Sequence, residues 1–147
     1  MTTAVPSKRP SRSKSTAGTP TPKGKRAKGT PAAMLMDKRN SKAATIGVVG
    51  LGYVGMPLAR AIWDAGYKVL GYDVDPTKIE KLHRGENYMP HLGDIVSPLA
   101  KSNRFQATDK PRLLAEADVI ILCVPTPLGP HNEPDLSFVL DSTKLVA

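Results

Sequence analysis

The sequence is poor in the residues that hold a small fold together covalently or through metal. Its single cysteine, Cys123, excludes an internal disulfide and fits a reducing compartment. Its three histidines, His83, His91 and His131, have no metal-ligand spacing, so no metal site is expected. No carboxylate pair and no Ser/His/Asp set presents itself, and no catalytic residue is assigned. The longest strongly apolar run, Val119 to Val124, falls far short of the roughly 20 residues of a membrane span. The N-terminus lacks the apolar stretch of a secretory signal. Together these absences lead to the expectation of a cytoplasmic protein.

Acid is missing from one end in particular. Residues 1–42 hold eleven Lys and Arg against one acid, Asp37, a net +10. Residues 43–147 hold ten bases and twelve acids, a net −2. The overall charge of +8 therefore belongs to the tail, and a nucleic-acid partner would have to be held there. Ser, Thr, Pro, Lys, Arg, Gly and Ala dominate residues 1–42, and few large apolar side chains are available to offset chain entropy. The expectation is a disordered basic tail over 1–42. Its Lys23–Lys28 cluster is the place where phosphates or an anionic surface would bind. The prolines argue against a transit peptide, and Met34 or Met36 offers a later start of translation.

What is present begins at residue 43. Residues 44–49 read as a buried first strand running into Gly50, Gly52 and Gly55, the G-x-G-x-x-G spacing of a dinucleotide fold. The first glycine permits the tight turn and the second a close approach of pyrophosphate. The third lets the next helix pack on the strand, with its N-terminal N–H groups facing the anion. That helix is expected from Val54 to Ala65, with Leu58, Ile62 and Ala65 on one face and Gly66 at its end. Lys68–Tyr72 reads as the second strand. Asp73 follows, 23 positions after Gly50, where the fold places the acid that accepts the adenosine ribose hydroxyls. Its charge disfavours a 2′-phosphate and so favours NAD over NADP. Asp75-Pro76 is an N-cap and first-turn pair for a helix carrying Ile79 and Leu82, and Lys78 reaches back toward the adenosine or into solvent.

Further strands are expected at Phe105–Thr108 and Val119–Val124, the second covered on both faces. A short helix around Asp94–Lys101, a helix over Pro111–Ala117, and a last helix capped by Asp135 and bearing Leu136, Val139 and Leu140 complete the pattern. The whole is α/β, a Rossmann-like doubly wound parallel sheet. Thr126, beyond the carboxyl end of the fourth strand, is placed to line the ligand crevice.

Four segments carry a family resemblance: Gly50–Ala59, Tyr72–Asp75 with Lys78-Ile79, Ala117–Leu128, and Glu133–Ser137. The chain from about residue 45 onward resembles the UDP-glucose/GDP-mannose dehydrogenase family. The short Pro125–Leu136 connection looks most like the UDP-N-acetylglucosamine 6-dehydrogenase branch. The resemblance implies oxidation of a UDP-sugar, UDP-N-acetylglucosamine or UDP-glucose, at C6 to the uronic acid with two NAD⁺. It implies NAD contacts at Gly50, Gly52, Tyr53, Val54, Gly55, Asp73, Lys78, Val124, Pro125 and Thr126, and a homodimer at full length. It also implies that the catalytic cysteine, lysine, threonine and glutamate lie beyond residue 147. Cys123, inside an apolar strand, is read as a small buried hydrophobe.

Residues 43–147 are thus expected to be the N-terminal part of an NAD-binding domain, holding strands 1 to 4 of the order 3-2-1-4-5-6. An unpaired fourth strand leads to the expectation of marginal stability, weak NAD binding and no oxidation of substrate by this chain alone. The alternative is a non-catalytic NAD-binding module whose basic tail holds nucleic acid or an anionic surface. Nucleic acid is the less expected partner.

Overall fold

The computed structural model describes residues 29–147. The expectations for residues 1–28, including the Lys23–Lys28 cluster, lie outside the described residues.

Four parallel strands form one sheet in the order β3-β2-β1-β4: β1 Thr45–Val49, β2 Lys68–Tyr72, β3 Phe105–Thr108 and β4 Val119–Leu122. The register pairs Val49 with Tyr72 on one side and with Leu122 on the other. The carboxyl ends of the three strands therefore lie level, and the chain reverses direction across the sheet between β1 and β4. Alternation along β1 and β2 divides the core in two. Val48 and Val69 join Leu51, Met56, Ala59, Ile79, Leu82, Val96 and Leu99 beneath α2 (Gly55–Asp64), α3 (Pro76–Arg84) and α4 (Ser97–Ala100). Val49, Leu70 and Tyr72 point to the other face and meet Leu114 of the 3₁₀ turn Pro111–Glu116, with Val146 of α5 (Ser137–Val146) packed against them.

Local signals account for most element ends. Asp75 accepts the N–H of Thr77 at 2.9 Å to cap α3, Pro76 starts it, and Gly85 ends it in the left-handed conformation at φ 71°. Gly66 plays the same terminating role after α2 at φ 97°. The buried stripe of α2 differs from expectation. Met56 and Ala59 are fully buried with Ile62 half-buried, whereas Leu58 is only half-buried and Ala65 is exposed. The packing of Gly55 against the β1 turn sets this rotation of the helix.

Four further expectations are corrected. Residues 31–40, assigned to a disordered tail, form a helix, α1 (Pro31–Asn40). The Thr30 hydroxyl caps it and Pro31 opens it, end signals that composition alone does not register. Its last turn is moored: Lys38 pairs with the Asp118 carboxylate, and the Arg39 carbonyl accepts the Tyr67 hydroxyl at 3.2 Å. The segment Pro111–Ala117, expected as a helix, is a 3₁₀ turn over Pro111–Glu116, whereas the short helix expected around Asp94–Lys101 is present as α4, preceded by a 3₁₀ turn at Pro90–Leu92. Strand β4 ends at Leu122, and its residues are half-buried to exposed, Val119 38% so, because only β1 pairs with it. The last helix starts at Ser137, so Asp135 sits one residue before the cap position, though its carboxylate still accepts the Ser137 N–H at 2.9 Å.

Candidate functional site

The turn after β1 is built around two glycines in near contact. Gly50 has φ 90°, and a Cβ there would lie 2.6 Å from the Cys123 carbonyl oxygen. A Cβ on Gly55 would lie 1.8 Å from the Gly50 carbonyl oxygen. Both positions therefore exclude any side chain, and α2 starts directly against the backbone where β1 and β4 diverge. Gly52 is the opposite case, since a Cβ there would meet nothing within 4 Å. The backbone at Gly52 is therefore open on that face. Among the described residues, the N–H groups of Gly52, Tyr53, Val54 and Gly55 find no acceptor, and Val54 caps α2 without a side-chain hydrogen bond. The start of a ten-residue helix with free N–H groups favours an anion.

Asp73, 6% exposed at the end of β2, carries more contacts than its motif assigns. Its Oδ2 accepts the Leu51 N–H at 2.7 Å and the Lys78 ammonium at 2.6 Å, and its Oδ1 accepts the Asp75 N–H at 3.1 Å. The carboxylate thus ties the glycine loop to β2 and keeps remaining acceptor capacity for a hydroxyl. Leu51 is fixed from the other side as well, because its carbonyl accepts the Tyr88 hydroxyl at 2.7 Å. Burial first, and the Asp73 charge second, raise the Tyr88 phenol well above its ordinary pKa, so it remains a donor. The Leu51 side chain is fully buried over Gly71. Neither the Asp73–Leu51 bond nor the Tyr88 support is signalled by sequence spacing.

Gly50, Gly52, Tyr53, Val54, Asp73, Lys78, Val124 and Pro125 line one cleft of about 640 Å³ across the carboxyl ends of β1, β2 and β4. Gly55 lies behind the loop as its packing partner rather than on the cleft wall. Thr126 is exposed and does not line the cleft. It leads into a tight hairpin in which Leu128 bridges Pro134 and the Asp135 N–H reaches the Pro127 carbonyl at 2.7 Å. Cys123 touches the cleft but packs with the core, and burial pushes its thiol pKa up, the reverse of nucleophile activation. Among the described residues no group of three or more His, Cys, Asp or Glu is placed to hold a metal.

Sequence reasoning missed the far wall of this cleft. Phe138, Asp141, Ser142 and Leu145 of α5 line it, at spacings i, i+3, i+4 and i+7. Leu136 and Leu140, two of the apolar residues noted for this segment, are more than half exposed.

Residues 44–147 match the model of the UDP-glucose/GDP-mannose dehydrogenase family, NAD binding domain. The chain is 37% identical over 105 residues to a UDP-N-acetyl-D-mannosamine dehydrogenase of Yersinia pestis, covering 70% of this chain and 24% of that protein. Its fold matches a UDP-glucose dehydrogenase of Pyrobaculum islandicum at a TM-score of 0.65 and 31% identity, over 70% of this chain and 24% of the other. It also matches the UDP-D-ManNAc dehydrogenase of Pyrococcus horikoshii at a TM-score of 0.63 and 33% identity, over 69% and 25%. The chain spans about a quarter of the length of the relatives it matches.

Proposed function

The chain belongs to the UDP-glucose/GDP-mannose dehydrogenase family and carries the sequence of its NAD-binding domain; on that premise we propose that it is the cofactor-binding part of a nucleotide-sugar 6-dehydrogenase. The substrate is a UDP-linked hexose, and a UDP-N-acetylhexosamine fits best. The Glu133-Pro134-Asp135-Leu136 connection supports the gluco epimer. The similarity to UDP-N-acetyl-D-mannosamine dehydrogenases brings the manno epimer beside it. The activity belongs to a cytoplasmic enzyme that supplies uronic acids for polysaccharide synthesis and works as a homodimer.

One observation carries this reading: an open Gly52, free loop N–H groups and Asp73 meet in a single cleft. Bound there, NAD⁺ supplies the hydride acceptor for oxidation of a C6 hydroxyl. This chain's own residues bind and orient. The loop N–H groups and the start of α2 take the diphosphate, and Asp73 accepts a ribose hydroxyl while Lys78 balances its charge. Val124 and Pro125 border the side across the switch point. Asp73 and Asp75 outnumber Lys78 on this wall, so a 2′-phosphate is disfavoured and NAD is preferred over NADP. The groups that attack and deprotonate the sugar come from outside this cleft, and the chain alone holds cofactor without turning over substrate.

Calorimetric titration of the 147-residue chain with NAD⁺ and NADP⁺ tests the binding reading. Binding of NAD⁺ that is tighter than that of NADP⁺ and is lost in Asp73→Ala is expected. Equal affinity for the two cofactors would overturn the assignment of Asp73. Reduction of NAD⁺ on adding a UDP-sugar to the purified chain would overturn the division of labour.

A further inference from the structure

Helix α1 stands apart from the core. None of its residues is buried, and it is tied to the fold through its last turn. Lys38 pairs with Asp118, and the Lys38 carbonyl accepts the N–H groups of Ala43 and Ala44 at 2.8 and 3.2 Å. The Arg39 carbonyl accepts the Tyr67 hydroxyl, and Lys42, just beyond the helix, lies 4.3 Å over the Tyr67 ring. Tyr67 and Asp118 stand directly before β2 and β4, so α1 is fixed at the amino ends of the strands. The cofactor cleft opens at their carboxyl ends, on the opposite side of the sheet.

The first part of α1 has a different chemistry. Residues 31–36 (Pro-Ala-Ala-Met-Leu-Met) carry no polar side chain, and Met34, Leu35 and Met36 are 57%, 37% and 48% exposed. Successive helical residues point about 100° apart, so these three spread around more than half of the helix. A groove on a folded partner covers one face of a helix, whereas a fluid apolar phase surrounds all of them. Immediately upstream, residues 1–30 hold Lys8, Arg9, Arg12, Lys14, Lys23, Lys25, Arg26 and Lys28 and no acid. A nucleic acid would neutralise these charges but would leave the exposed apolar end of α1 without a partner. An anionic bilayer satisfies both.

We propose that α1 docks the chain on an anionic phospholipid surface. Met34, Leu35 and Met36 enter the boundary between headgroups and acyl chains, and the bases of residues 1–30 are drawn to the lipid phosphates and carboxylates. The moored last turn then holds the cleft on the side of the sheet facing away from the bilayer, open to its ligand. None of this depends on what the cleft binds.

The test is cosedimentation of the 147-residue chain with vesicles of phosphatidylcholine and phosphatidylserine in equal parts, and with vesicles of phosphatidylcholine alone. Binding to the mixed vesicles is expected to be at least about tenfold tighter and to weaken as salt is added. The triple variant Met34→Ala, Leu35→Ala, Met36→Ala keeps a strong helix former at each position and removes no buried side chain. It should melt like wild type and bind the mixed vesicles at least about tenfold more weakly. Leu35→Trp gives a second readout. On mixed vesicles its emission shifts to the blue by more than that of wild type, whose half-buried Trp63 donates to the Ser102 hydroxyl. Wild-type affinity for the mixed vesicles in the triple variant, or equal binding to the two kinds of vesicle, overturns the inference. So does displacement of the chain from mixed vesicles by duplex DNA of equal charge concentration, which would assign the basic segment to nucleic acid.

Discussion

Replacing Gly52 and Gly55 separately by alanine splits stability from binding. At Gly55 the new methyl group would sit 1.8 Å from the Gly50 carbonyl oxygen and 3.2 Å from the Cys123 Cβ. The obstacle is backbone on the Gly50 side, so α2 must move away from β1 by more than an ångström. Overpacking of this kind costs about 1–3 kcal/mol. In a domain of this size that lowers the melting temperature by roughly 4–8 °C per kcal/mol. At Gly52 the methyl group meets nothing within 4 Å, and the backbone there is not in the left-handed region. The stability change should stay within about 0.5 kcal/mol. The same methyl group occupies the approach path of the diphosphate, and affinity for NAD⁺ should fall at least tenfold, about 1.4 kcal/mol. Thermal melts with and without ADP-ribose read both quantities, since a ligand that binds only the folded chain raises the midpoint in proportion to its affinity. A melt of Gly52→Ala lowered as far as that of Gly55→Ala would refute the geometric reasoning. So would undiminished NAD⁺ affinity in Gly52→Ala.

Asp73→Asn turns an acceptor of three donors into a group that must point an amide toward some of them. It should cost about 1–3 kcal/mol in urea unfolding and weaken NAD⁺ binding. Tyr88→Phe removes the donor to the Leu51 carbonyl, and a loss of about 0.5–1.5 kcal/mol is expected by the same measurement. The Lys38 ammonium and then the Thr45 N–H hold the Asp118 carboxyl below its ordinary pKa of 3.8. Its stabilising contribution is therefore complete above that value and lost as pH falls through the lower, folded-state pKa. Urea midpoints of wild type should approach those of Asp118→Asn as pH drops below about 4, and a constant gap between the two from pH 7 to pH 3 would contradict the pairing.

The parts legible in the sequence are those whose constraint is local. Gly50 turns at φ 90° and Gly55 must be bare because of the Gly50 carbonyl five residues before it, and Asp73 follows β2 by one residue, so spacing alone locates them. The Asp75-Pro76 start and the Gly85 end of α3 are equally local. The role of helix α5 in the cleft was not legible from its residues. Its Phe138 and Leu145 face a cleft that exists only once β2 and β4 are aligned, and no pattern within 137–146 announces it. Helix α1 was hidden by composition, although Thr30-Pro31 is a start signal, and its mooring on Asp118 spans 80 positions. Thr126 was displaced by the hairpin closing between Leu128 and Pro134, a pairing that the proline-rich letters do not announce.

The clamping of Leu51 also bears on how fast a ligand is captured. Its N–H, its carbonyl and its side chain are each engaged by a different part of the fold: Asp73, Tyr88 and Gly71. A loop held this way has little conformational freedom left to surrender on binding, and no slow rearrangement stands between encounter and docking. Capture should then follow simple second-order kinetics, with an observed rate that rises linearly with cofactor concentration and never saturates. Loosening the clamp at Tyr88 would appear first as a plateau in that rate, before any change in which cofactor is chosen.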